Sequence, residues 1–166
     1  TPVRHVGIFA NVTDQKRAEE MAWREANFDA LTLLPNRRLF RDRLTQEIKK
    51  AGRSDKGVAL LLIDLDQFNE VNDTLGHDTG DQLLIESARR IQRCIRTSDT
   101  VARTGGDSFS IALSEFPDGE HIERIAQSIS TQLREPFDSS GETIYLSGSI
   151  GIAFYPQDSA DTDELI

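Results

Sequence analysis

Three carboxylates and a diglycine bend are the residues whose types and spacing could do chemistry in this chain. Asp64 and Asp66 close the aliphatic run Val58–Ile63. As strand residues two apart, they leave the same face. A strand covered on both faces seldom ends in two carboxylates unless they meet water, a metal or a helix N-terminus. Asp107 follows Gly105-Gly106, whose bare backbone leaves room for a ligand to reach main-chain N–H groups. If that bend lies beside the first strand, Asp107 and Asp64 converge. Hard oxygen ligands of this kind select Mg²⁺ or Mn²⁺, which in turn hold phosphates. Taken singly, the same residues equally suit ordinary turn chemistry. The elements that position them therefore decide.

Val58–Asp64 is continuous and aliphatic, as in a strand buried on both faces. Thr100–Thr104 and Ser108–Leu113 flank Gly105-Gly106-Asp107 and predict a hairpin. Phe68–Leu75 reads as a short helix closed by Gly76-His77. A longer helix follows from Thr79 to Cys94, with Leu83, Leu84, Ala88, Ile91 and Ile95 on one face. Leu33-Leu34-Pro35-Asn36 stops one helix and caps the next, where Phe40, Leu44 and Ile48 recur at helical spacing. His121–Arg134 is amphipathic, and Thr143–Phe154 alternates as one strand with Gly148 and Gly151 inside it. Upstream, Val6–Val12 reads as a strand ending at the helix caps Thr13 and Asp14, before a polar connector helix from Gln15 to Asn27. Together these elements predict an α+β fold with a mixed, mainly antiparallel central sheet flanked by helices.

Composition narrows the function. At 166 residues the chain suits one domain plus a short extra element. A net charge of −9 argues against nucleic acid as a partner. It does not exclude a nucleotide, because a divalent ion can stand between carboxylates and a polyphosphate. The single cysteine, Cys94, excludes an internal disulfide or a cysteine zinc cluster; its surroundings read as a buried helix position in a reducing compartment. The longest aliphatic run is far short of the roughly 18 residues a membrane span needs, and no signal peptide opens the chain. The first residue is Thr1 rather than Met, so the sequence reads as a piece of a longer protein and leaves an upstream membrane segment open.

Four blocks resemble one family. IDLDQFNEVNDTLGHDTGD (Ile63 to Asp81) and RTSDTVARTGGDSF (Arg96 to Phe109) are similar in order and spacing to the two main motifs of the GGDEF domain, the GTP-handling module of cyclic-di-GMP signalling. FDALTLLPNRRLF (Phe28 to Phe40) resembles its entry motif and SGSIGIAFYP (Ser147 to Pro156) its late strand. The resemblance implies a palm-like nucleotidyl cyclase fold over residues 28–166, without its last helix and strand. It implies a metal site of Asp64, the Leu65 carbonyl and Asp107, with Asp107 also assisting catalysis. Asn72 and Asp81 would read guanine, and Gly105 and Gly106 would let the turn approach the GTP phosphates. His77 would organise its turn. Arg96 and Asp99 resemble the family's product-binding inhibitory pair. The implied partners are GTP, cyclic-di-GMP and a second copy of the domain, with Mg²⁺ or Mn²⁺ as cofactor. Residues 1–27, through GIFANVTDQKRAEE, resemble the closing strand and exit helix of a PAS sensor. Fused sensor and effector domains and a cytoplasmic location follow, free or as the cytoplasmic part of a membrane-attached protein.

Two positions depart from the pattern. Ser108 stands where the family carries Glu, and Asn69 where active members often carry Lys. A neutral hydroxyl cannot replace a carboxylate that holds metal or accepts a proton, and such a loss costs about 10²- to 10⁴-fold. The expectation is therefore a diguanylate cyclase of reduced activity. The alternative is an inactive GTP- or cyclic-di-GMP-binding module that regulates an attached domain such as an EAL phosphodiesterase.

Overall fold

The computed structural model describes residues 12–54, 56–139 and 141–165. Helix α1 (Val12–Asn27) precedes α2 (Arg37–Ser54), β1 (Val58–Leu65), α3 (Phe68–Leu75), α4 (His77–Cys94), β2 (Thr100–Arg103), β3 (Ser108–Ser114) and α5 (Gly119–Arg134). Then come β4 (Phe137–Ser139), β5 (Glu142–Ile144), β6 (Gly148–Tyr155) and the short α6 (Thr162–Leu165). The main sheet runs β2-β3-β1-β6, and β4-β5 forms a separate ribbon. The expected mixed sheet is antiparallel in every ladder among the described residues.

Strand β1 lies at the centre because its aliphatic run serves two cores. Ala59, Leu61, Ile63 and Leu65 pack with α4 and α5 through Leu83, Leu84, Ile91, Ile122, Ile129 and Leu133. Val58 and Leu60 point the other way, onto Phe40, Leu44 and Ile48 of α2. Each fully buried Leu, Ile or Phe side chain contributes roughly 1.5–3 kcal/mol, so β1 is anchored from both sides. Leu62 is already half exposed and Asp64, next on the α2 face, is exposed. The apolar cover ends where the carboxylate begins.

Several boundaries differ from expectation. The predicted Val6–Val12 strand lies outside the described residues except for Val12, which already belongs to α1; Thr13 and Asp14 are helical rather than caps. Helix α4 begins at His77, two residues early, because Gly76 adopts φ +88°, which ends α3 and starts α4 within one residue. The single strand expected over Thr143–Phe154 is two, broken at Tyr145–Ser147. Its first part pairs with β4 across a bend at Gly141 (φ +83°). Cys94 is half-buried rather than buried, between the Arg90 carbonyl and the Ser128 hydroxyl.

Candidate functional site

The glycine bend lies against the end of β1. In the ladder Asp64 faces Ser108, and the Leu65 N–H donates to the Asp107 carbonyl at 3.2 Å. The bend is closed by Thr104 N–H to the Ser108 carbonyl at 2.9 Å. Neither Gly105 nor Gly106 needs a positive φ. A Cβ at Gly106 would meet nothing within 4 Å, so the space beside this glycine is open. The Ser108 hydroxyl donates to Asp64 Oδ1 in a short hydrogen bond. Asp66, expected to leave the same face as Asp64, goes elsewhere. It has left the strand and accepts from the Ser147 and Ser149 hydroxyls at 2.5 and 2.7 Å, which hold its carboxyl below the usual carboxylate range. It ties the start of β6 to the end of β1.

Above this end of the sheet sits a cavity of about 340 Å³. Its walls are Leu62 and Asp64 of β1, Thr104 and Gly105 of the bend, Ser108 and Ser110 of β3, and Arg37 of α2. Ser110 is buried, and its hydroxyl is 2.9 Å from that of Thr104. Among the described residues no three His, Cys, Asp or Glu side chains gather closely enough to hold a metal alone. Mg²⁺ is commonly bound by one or two carboxylates, with waters and substrate phosphates completing its shell. Asp64, Asp107 and nearby carbonyls are hard oxygen donors of that type, and they fit.

Asn72 and Asp81 lie on the other side of the β1 end, on α3 and α4. Asn72 Oδ1 is buried without a hydrogen-bond partner, an expensive condition for an amide oxygen. It rests on Gly80, where a Cβ would come within 1.9 Å of it. Asp81 is exposed, one residue further along α4. His77 is exposed at the start of that helix.

Arg96 and Asp99 form a tight turn between α4 and β2. Arg96 N–H donates to Asp99 Oδ2 at 2.9 Å, and Asp99 N–H donates to the Arg96 carbonyl at 3.0 Å. Burial pushes the Asp99 carboxyl up, opposed by the Arg96 N–H and by the charges of Arg96 and His121. The Arg96 guanidinium is free of its own carboxylate, with Nη2 3.5 Å from His121 Nε2 on α5. This pair stands at the opposite end of β2 from the glycine bend, roughly 15 Å away at strand rise.

Residues missed by sequence reasoning hold the bend in place. Arg103 donates through Nε and Nη2 to the Gly106 carbonyl at 3.0 and 2.7 Å, and through Nη1 to both Asp29 oxygens at 3.1 Å. Burial raises the Asp29 carboxyl, but bonds from the Thr32 hydroxyl and N–H and from Arg103 outweigh it and hold the group below its ordinary range. The entry segment is thereby wired to the glycine bend. Its signal in the sequence was an arginine two residues before a diglycine, a pattern with no meaning until Asp29 is known to lie beside it.

Comparison with known proteins agrees with this geometry. Residues 26–166 match the family model described as diguanylate cyclase, GGDEF domain. MucR of Pseudomonas aeruginosa, a bifunctional diguanylate cyclase/cyclic di-GMP phosphodiesterase, is 42% identical over 154 residues, covering 93% of this chain and 22% of MucR. The diguanylate cyclase TpbB of the same species is 43% identical over 139 residues, 83% of this chain and 32% of TpbB. The chain thus spans between about a fifth and a third of the length of these relatives. The solved GGDEF domain of TpbB superposes with a TM-score of 0.81 at 41% identity, covering 83% of this chain and 81% of that one. The coiled coil and GGDEF domain of DgcB from Caulobacter crescentus, in complex with c-di-GMP, superposes with a TM-score of 0.83 at 26% identity over 93% of this chain and 82% of that one. With Asp64, the diglycine bend and the family's sheet in one place, the chain belongs to the GGDEF domain family of diguanylate cyclases.

Proposed function

We propose that this domain binds GTP with a divalent ion, Mg²⁺ or Mn²⁺, and joins two GTP into cyclic-di-GMP at a rate lowered by Ser108. The observation that carries this reading is the hydrogen-bonded contact of the β1 end with the glycine bend, Leu65 to Asp107, with Asp64 opposite Ser108. Asp64, Asp107 and the Leu65 carbonyl would hold the ion; once bound, it would neutralise phosphate charge. Asn72 and Asp81 would read the guanine edge, giving the orphaned Asn72 oxygen the donor it lacks. The open face of Gly106 and the neighbouring Gly105 admit the phosphates. Asp107 takes the proton of the 3′-hydroxyl as that oxygen attacks the α-phosphorus of the second GTP. The bond to pyrophosphate breaks in the same step. Each domain supplies one nucleotide, so the working form is a homodimer, and Arg96 with Asp99 binds the product as an inhibitor.

Residues 1–27 are the end of a PAS-like sensor with its linker helix, and 28–166 the GGDEF domain. Sensor and effector domains flank it in a cytoplasmic protein, free or membrane-attached. No described helix is long and apolar enough to cross a membrane.

The bond from Ser108 to Asp64 favours a second reading. It places a hydroxyl proton on an oxygen the ion would need. On that reading the domain is a non-catalytic module that binds GTP or cyclic-di-GMP and regulates an attached domain such as an EAL phosphodiesterase.

A forced dimer incubated with GTP and Mg²⁺, followed by chromatography of the products, separates the two. Cyclic-di-GMP that disappears in Asp107→Ala supports the enzyme. Ser108→Glu should raise the yield about 10²-fold or more by restoring a carboxylate. Absence of product from the parent together with its appearance in Ser108→Glu would favour the regulatory module. Absence from both would refute the catalytic reading.

A further inference from the structure

We infer that Arg37 is the phosphate-binding cation of this site, directed at the triphosphate of the nucleotide. The inference rests on the proposed GTP binding and adds to it a residue of the entry block, Phe28 to Phe40, to which no role had been assigned.

The position of Arg37 comes from the parity of β1. Val58, Leu60 and Leu62 share one face of the strand with Asp64, and their partners across the ladder are Ser114, Ala112, Ser110 and Ser108. Helix α2 covers the first part of that face through Phe40, Leu44 and Ile48. Beside the N-terminal end of the helix, past Leu60, the 340 Å³ cavity opens against this face of the sheet. Arg37, the first residue of α2, lines that cavity together with Asp64, Gly105 and Ser108. The volume falls within the range of small-molecule sites.

The charges need such a group. A triphosphate brings several negative charges into a site that already holds Asp64 beside Asp107, in a chain of net charge −9. One divalent ion offsets only part of this. Two other cations on this side of the sheet are committed: Arg103 to Asp29 and the Gly106 carbonyl, and Arg41 to Asp163 at 2.6 Å. Asn69 is neutral where a lysine could have served. Arg37 is exposed, and among the described residues it has no ion pair or side-chain hydrogen bond. It also stands at the positive end of the α2 dipole, in a first turn without an acidic residue, where a cation is electrostatically disfavoured. Asn36 already caps the helix, donating nothing to Arg37 and accepting from Leu39 N–H at 3.1 Å. An unpaired guanidinium in an unfavourable place, lining one cavity with Asp64, is suited to bidentate capture of a phosphate.

The test is calorimetric titration of the intact chain, its Arg37→Ala and its Arg37→Lys variants with GTPγS and Mg²⁺, with guanosine, and with cyclic-di-GMP. Because Arg37 is exposed and unpaired, both variants should keep the parent's thermal midpoint. Affinity for GTPγS should fall about tenfold in Arg37→Ala, in line with loss of charge-assisted hydrogen bonds, and recover in part in Arg37→Lys. Guanosine binding should not change. GTPγS affinity in Arg37→Ala within twofold of the parent would overturn the inference alone. So would an equal loss for guanosine, which would mean a distorted base site, or a loss confined to cyclic-di-GMP. A parent that does not bind GTPγS at all would overturn the proposed function and this inference together.

Discussion

Arg90 and Arg37 sit in the same domain and could hardly be placed more differently. Arg90 is buried at 8% exposure on α4, and each of its three nitrogens donates: to Glu86 at 3.2 Å, to the carbonyls of Gln132 and Glu135 at 2.9 and 2.6 Å, and to that of Pro136 at 2.7 Å. Its guanidinium also stacks 3.7 Å over the Phe137 ring. It closes the C-terminal end of α5, whose last carbonyls would otherwise lack partners. At the β1 end the accounts are left open. Arg37 is unpaired, Asn72 Oδ1 is buried without a donor, and the space beside Gly106 is empty. Apart from the buried Ser87 hydroxyl one turn earlier on α4, which also lacks a partner, the fold satisfies its polar groups around Arg90 and leaves them open at the β1 end. The contrast therefore separates groups that hold the domain together from groups that wait for a nucleotide.

The comparison is broken or sharpened by substitution. The largest effect should come from Arg90→Met, which strands three carbonyls. It should lower stability by about 3 kcal/mol in urea unfolding while leaving the affinity of the remaining folded protein for Mg²⁺–GTPγS within twofold. A large loss of affinity at full stability would erase the distinction between the two regions. Asn72→Ala should behave oppositely. Having no partner to lose at Oδ1, it should change stability by less than about 1 kcal/mol but weaken guanosine nucleotide binding roughly tenfold, as calorimetry would record. Equal loss of stability and binding would mean that Asn72 belongs to the scaffold. Arg96→Ala should show the smallest structural effect, within about 0.5 kcal/mol, because its side chain is exposed and its one side-chain hydrogen-bond neighbour among the described residues is His121 at 3.5 Å. Cyclic-di-GMP binding should nevertheless be lost, and unchanged affinity would remove Arg96 and Asp99 from the product site.

Much of the scaffold was legible in the residues. The aliphatic run at Val58, the helical spacing of Phe40, Leu44 and Ile48, and the diglycine between two short strands are local patterns, and each formed the element it implied. The strand expected over Thr143–Phe154 failed because apolar alternation (Ile144, Leu146, Ile150, Ile152) continues across Tyr145–Ser147 while the chain changes sheets. No local pattern reports which ladder a strand joins. The ribbon β4–β5 was missed for the same reason, since a strand of three residues carries almost no periodicity.

The site divides along a similar line. Residue types and spacing alone determined that Asp64 and Asp107 stand at the ends of strands and that the bend between β2 and β3 is narrow. These are properties of short segments, where backbone preference and alternation act over a few residues. Only the tertiary structure decided that Asp66 would be claimed by Ser147 and Ser149, that Arg103 would brace the bend through Asp29, and that Arg37 would line one cavity with Asp64. Those pairs are separated by between 27 and 83 residues, or 37→64, 29→103 and 66→149. Their meeting depends on the register of β1 with its neighbours and on where α2 stops covering the sheet, and hydrophobic burial sets both of these for the whole domain at once.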